Sequence, residues 1–150
     1  MLLNHSVTPG NGAASGVRWY EVQIPPAGGF SLFQSGTFAP DTHSRWMGSI
    51  AMNGAGTIAV GYSVSSSTVK PSIRFTGRCS ADTNGTMQNE VEAVSGLGSQ
   101  QTNLSRWGDY ATMVVDPKDD TTFWFTTQYL QGNGTFNWST SIVPITITCP

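Results

Sequence analysis

No stretch of eleven or more residues in this 150-residue chain keeps a 3.6-residue apolar period between its breakers, which leaves no helix to build with. Short β-rich runs recur instead between clusters of Gly, Pro, Asn and Ser. They fall at residues 2–7, 17–24, 30–33, 47–52, 57–64, 72–75, 90–94, 110–115, 121–128 and 138–147. In 17–24, Val17, Trp19, Glu21 and Gln23 alternate with Arg18, Tyr20, Val22 and Ile24. Both sets are partly apolar, so this strand is expected to pack between two layers. Residues 121–128 alternate Thr122, Trp124 and Thr126 with Phe123, Phe125 and Thr127, again without a fully polar face. The large rings Trp19, Tyr20, Phe123, Trp124, Phe125 and Trp138 are expected to fill space between sheets. Ten short strands predict an all-β chain.

Composition bounds what such a chain can do. Hydrophobic residues make up 38% and aromatics 11%, enough to exclude a disordered tail, and the length suits one domain. Only 11% of residues are charged, so 35 serines and threonines supply most of the polarity. Seven Lys and Arg against nine Asp and Glu leave a net charge of -2, without the basic face that nucleic acid requires. No run approaches the length of a membrane-spanning helix. Residues 1–7 lack a basic leader and a long apolar stretch, so no secretory signal is expected; they read as the middle of a strand, as if inside a longer domain. Cys79 and Cys149 can form one bridge or remain two buried thiols, and compartment does not follow from their count. The glycosylation acceptor sequences at Asn4, Asn84, Asn103, Asn133 and Asn137 matter only in a secretory pathway that glycosylates.

A repeat underlies the strands. Residues 35–46 resemble residues 95–107 with one gap, and both segments end in Ser-Arg-Trp. The following strand–turn–strand unit at 50–60 lines up with 113–123, placing Asn53-Gly54-Ala55-Gly56 opposite Asp116-Pro117-Lys118-Asp119. A period of about sixty residues holding about four antiparallel strands is the unit of a β-propeller blade.

The blocks at 16–21, 45–52, 59–67 and 106–110 carry a family resemblance: from Asn4 onward the chain looks like the C-terminal part of large sialidase-like β-propeller proteins of bacteria, which are secreted or cell-surface. The resemblance implies fold rather than activity. The Ser-x-Asp-x-Gly-x-x-Trp box of the enzymes is missing, and no arginine triad or Tyr–Glu nucleophile pair is assignable. On this basis residues 1–40 are expected to give strands B, C and D of one blade, 46–97 a whole blade, and 107–148 strands A, B and C of a third. The open sheet edges are expected to be closed by copies of the chain, as a dimer or trimer.

Both Ser-Arg-Trp elements are expected just before inner strands, at the rim of a central channel. Arg45 and Arg106 would offer paired donors to a carboxylate or sulfate on a sugar, while Trp46 and Trp107 would stack on pyranose faces. The alternative is that repeated residues keep a repeated packing role. Asp109 and Tyr110 have no counterpart in the first repeat, where Gly48 and Ser49 stand; an acid and a phenol beside an arginine suit a glycoside hydrolase. Its second carboxylate is available only by elimination, from Glu21, Glu90 or Glu92. Asp116, Asp119 and Asp120 read as turn residues satisfying local amides rather than as calcium ligands. His5 and His43 lack partners at metal-binding spacing, and Ser65-Ser66-Ser67 reads as a strand end or turn. No nucleophile elbow, phosphate loop or dinucleotide fingerprint is present. The expected role is a non-catalytic module that binds glycans or builds an assembly, with no cofactor; a glycoside hydrolase and a structural propeller fragment are the alternatives.

Overall fold

A computed structural model describes residues 1–101 and 106–149. Ser105 of the second Ser-Arg-Trp and the acceptor Asn103 lie outside the described residues. Within them the chain is all-β: β1 (Leu2–Val7), β2 (Gly16–Gln23), β3 (Ser31–Phe38), β4 (Ser44–Met52), β5 (Ile58–Ser65), β6 (Ser72–Arg78), β7 (Val91–Val94), β8 (Thr112–Val115), β9 (Phe123–Tyr129) and β10 (Ser139–Ile145). Each strand overlaps one run legible in the sequence. Only β1 keeps both ends of its run; the largest shifts are in β3, which continues through Gly36 to Phe38, in β4, which begins three residues early, and in β6, which ends three residues late. The strands form three antiparallel sheets, β1-β2-β3, β4-β5-β6-β7 and β8-β9-β10.

The middle sheet is covered on both sides. Ile58 through Val64 of β5 are all buried, because the strand alternates side-chain size. Ile58, Val60 and Tyr62 meet Val17 and Trp19 of β2. On the other face, Ala59 packs with Phe123 and Phe125 of β9. Gly61 sits under the Phe125 ring, where an added Cβ would lie 2.5 Å from Cδ1. Burying each large side chain of this kind stabilises the fold by roughly 1.5–3 kcal/mol.

The strand covered on both faces is thus β5, not β2. Only Val17 and Trp19 of β2 point inward. Its other face carries Arg18, whose guanidinium lies 5.2 Å from the Tyr20 ring centre and donates to Ser35 at 2.8 Å and Thr37 at 3.1 Å. An aliphatic stem and an aromatic ring let this surface read as apolar in sequence while meeting solvent. The same correction applies to Trp124, which stands 36% exposed on the outer face of β9, and to Trp138, which precedes β10 and packs edge-on against Phe136.

The first strands lie together, β4 touching both β1 and β8. Each sheet contributes its first strand in chain order to this contact, and the middle sheet alone has a fourth strand, β7, among the described residues. The strand–turn–strand repeat meets across sheets. Gly54 donates its N–H to the Asp120 carboxylate at 2.9 Å, and Asn53 Nδ2 donates to the Asp120 carbonyl at 2.9 Å. Of the two states open to the cysteines, the chain adopts the bridge: Cys79, just after β6, is joined to Cys149, beyond β10.

Candidate functional site

Three of the four residues expected to contact a ligand converge on one cleft. Trp46, Arg106 and Trp107 line it with Ser65, Ser66, Val69, Pro71, Ser99 and Gln100, around a volume of about 390 Å³. One wall is the β5–β6 turn. There Ser66 Oγ accepts the N–H groups of Thr68 and Val69, both at 3.1 Å, which fixes the turn from within. The opposite wall is tied to it: Lys70 Nζ donates to Ser99 Oγ at 3.0 Å, and Gly96 N donates to Ser72 Oγ at 2.8 Å. Farther along, Asn133 Oδ1 accepts the Ser99 N–H at 2.8 Å.

Ser63 brings the two tryptophans together. It pairs with Trp46 across the β4–β5 ladder and accepts Trp107 Nε1–H at 3.1 Å. The ladder then shifts between Trp46 and Ser49, with Met47 in the left-handed region at a φ of 52°. A bulge of this kind turns a side chain out of the strand's regular alternation. The indole rings meet edge to face, 5.6 Å apart and inclined at 73°. Both are half-buried, so each keeps part of its surface open.

Arg106 stands at the rim with 62% of its side chain exposed, and Nη2 donates to Asp109 Oδ1 at 2.9 Å. Its carbonyl accepts Gln100 Nε2–H at 2.6 Å. The Arg106–Asp109 pair is exposed on both sides, a class of contact worth about 0–1 kcal/mol that leaves the guanidinium open to exchange partners.

Arg45 is not a ligand donor. It is completely buried, and its five donors are all taken: Nε and Nη2 reach the two Glu90 oxygens at 2.9 and 2.7 Å, Nη1 and Nη2 reach Asp41 at 2.8 and 3.0 Å, and Nη1 also reaches the His43 carbonyl at 2.8 Å. Nor does it precede the strand, for it lies within β4. The repeat breaks for a readable reason. Asp41 stands four residues before Arg45, whereas Thr102 stands four before Arg106, which takes its acid from Asp109 on the other side.

The same network removes Glu90 as a second catalytic carboxylate. Besides Arg45 it accepts Tyr62 Oη–H at 2.9 Å and Arg74 Nη1–H at 2.7 Å. Burial pushes its carboxyl up, but the donors from Arg45, Tyr62 and Arg74 prevail and hold it below its ordinary value. The Arg45 hydrogen bonds bring Asp41 down to about 2. Burial, reinforced by the Glu90 charge, pushes the Tyr62 phenol up. Glu92 bonds Arg74 and Ser95, and Glu21 accepts Gln34 Nε2–H at 2.7 Å. Tyr110 is 83% exposed, and neither it nor Asp109 lines the cleft.

Asp116 and Asp119 spend their oxygens locally, whereas the Asp120 carboxylate reaches across to the Gly54 N–H of the middle sheet rather than to an amide of its own turn. Asp116 accepts the Lys118 N–H and Trp124 Nε1–H at 2.8 and 2.9 Å. Asp119 accepts the Thr121 and Thr122 amides, both at 2.8 Å, and those amides bring its carboxyl down to about 2. Among the described residues, no group of three or more His, Cys, Asp or Glu is placed to hold a metal ion.

The lining residues missing from the sequence reading are Ser65, Ser66, Val69, Pro71, Ser99 and Gln100. The serines at 65 and 66 do end a strand and begin a turn, as read. Their place beside Trp46 depends on the β4–β5 pairing and on the tie to Ser99, neither of which a single segment carries. No family model, curated protein or solved structure matches this chain.

Proposed function

We propose that this chain is a non-catalytic glycan-binding segment of the sialidase-like β-propeller type, its three sheets serving as successive blades whose open sides are covered by copies of the chain. The observation that carries the binding role is the convergence of two half-open indole rings, one exposed guanidinium and a row of serine hydroxyls on one cleft. Such a set pairs apolar ring surface with a few placed polar groups, as small-molecule sites generally do. The described lining has no carboxylate, and most glycoside hydrolysis needs two. That favours binding over hydrolysis. The blade reading is supported by face-to-face packing of the three sheets with β1, β4 and β8 side by side.

The test is binding of a panel of saccharides to the chain and to its Trp46→Ala and Arg106→Ala variants. Affinity should fall at least tenfold in Trp46→Ala, with the fold kept as judged by unchanged far-ultraviolet circular dichroism. Unchanged affinity in both variants sinks the cleft. The mass in solution tests the assembly separately: a dimer or trimer is expected, and a 16.0 kDa monomer removes that half of the proposal.

A further inference from the structure

The angle between the two indoles limits how a saccharide can lie on them. A sugar chain running along a platform needs ring faces that are nearly parallel and spaced along its length, each stacked under a separate unit. Here the rings touch at 5.6 Å and are inclined at 73°, so the edge of one occupies the face of the other. The surface left open is a corner, with one ring as floor and the other as side. Ser63 fixes that corner by holding Trp107 Nε1 while pairing with Trp46 across the ladder. The cleft is also walled, because the Lys70–Ser99 bond holds the β5–β6 turn against Ser99.

We infer that the cleft takes a single sugar unit end-on, a chain terminus or a one-unit branch, and not an internal stretch of polysaccharide. This rests on the saccharide-binding reading of the same cleft. Both indoles meet one ring from two directions, and Arg106 with the serine hydroxyls at 65, 66 and 99 reaches the polar edge of that same ring. Units beyond the first point into solvent and add little contact.

The test titrates the intact chain with glucose, galactose, mannose, N-acetylglucosamine and glucuronic acid, and with oligosaccharides of each from two to six units. Heat and tryptophan fluorescence are followed together. For the sugars that bind, the single unit and the longest oligosaccharide should agree within about threefold in affinity, well under one tenfold step of 1.4 kcal/mol. Trp46→Phe, which keeps a ring in the corner but shrinks it, should weaken every length by the same factor. An affinity that climbs tenfold or more between one unit and four overturns end-on recognition and leaves the saccharide cleft standing. No response to any member of the panel overturns both.

Discussion

A guanidinium buried away from water costs several kcal/mol unless each donor finds an acceptor, and Arg45 meets that condition with two carboxylates and a carbonyl. The result joins the approach to β4, the strand β5 through Tyr62, and β6–β7 through Arg74, Glu90 and Glu92. Such a network is sensitive to acid. Asp41 and Glu90 both have folded-state values below their ordinary ones, so the unfolded chain binds protons that the folded chain refuses. Their contribution is fully present above the ordinary carboxylate range and is lost as pH falls toward the folded values. For Asp41 that window runs from the ordinary 3.8 down to about 2; with 40% of its side chain exposed, solvent damps its share. Urea midpoints measured between pH 6 and 2 should stay level down to about pH 4.5 and then drop steadily; a level line to pH 2 would show that the network contributes nothing. Arg45 and Arg106 look alike in the sequence because both end a Ser-Arg-Trp. Only the acids around them tell them apart, and one of those, Glu90, is 45 residues away in the chain.

At the level of strands, alternation of size matters as much as alternation of polarity. Ala59, Gly61 and Ser63 form the low side of β5, and Phe125, Trp107 and their neighbours settle onto it. Gly61→Ala places a methyl 2.5 Å from an aromatic carbon, and overpacking of this kind costs about 1–3 kcal/mol. Chemical denaturation should register the loss, and an unchanged midpoint would mean that the middle and third sheets can part slightly without penalty. Strand positions were legible because turn-forming residues punctuate nearly every run. Which strand lies in the middle was not. The strands β2 and β9 carry as many large apolar groups as β5, but Arg18 with Tyr20, and Trp124 with Asp116, satisfy their outer faces at the surface. The cleft was half legible: its rings and Arg106 stand out as a repeated motif, while its walls come from a turn and a segment that only long-range pairing brings together.

For the molecule as a whole, the bridge between Cys79 and Cys149 spans 70 residues and ties the middle sheet to the chain beyond the third. Closing a loop of that length restricts the unfolded chain by about 4 kcal/mol on the chain-entropy account. A Cys79→Ala, Cys149→Ala double variant should lose about 2–4 kcal/mol against the oxidised protein, and reductant should reproduce that loss in the parent chain while leaving the variant unchanged. The tryptophan cleft lies among the strands that the bridge helps to hold, so the saccharide binding proposed for it should outlast mild denaturant better in the oxidised protein. The bridge also determines what a mechanical load can reach. Pulled by its two ends, the chain could pay out β1 to β6, but the 70 residues between the sulfurs would stay shielded from tension, withholding roughly 250 Å of contour length. Force would strip away the first sheet and much of the middle one, stop short, and leave the third sheet slack inside a covalent ring.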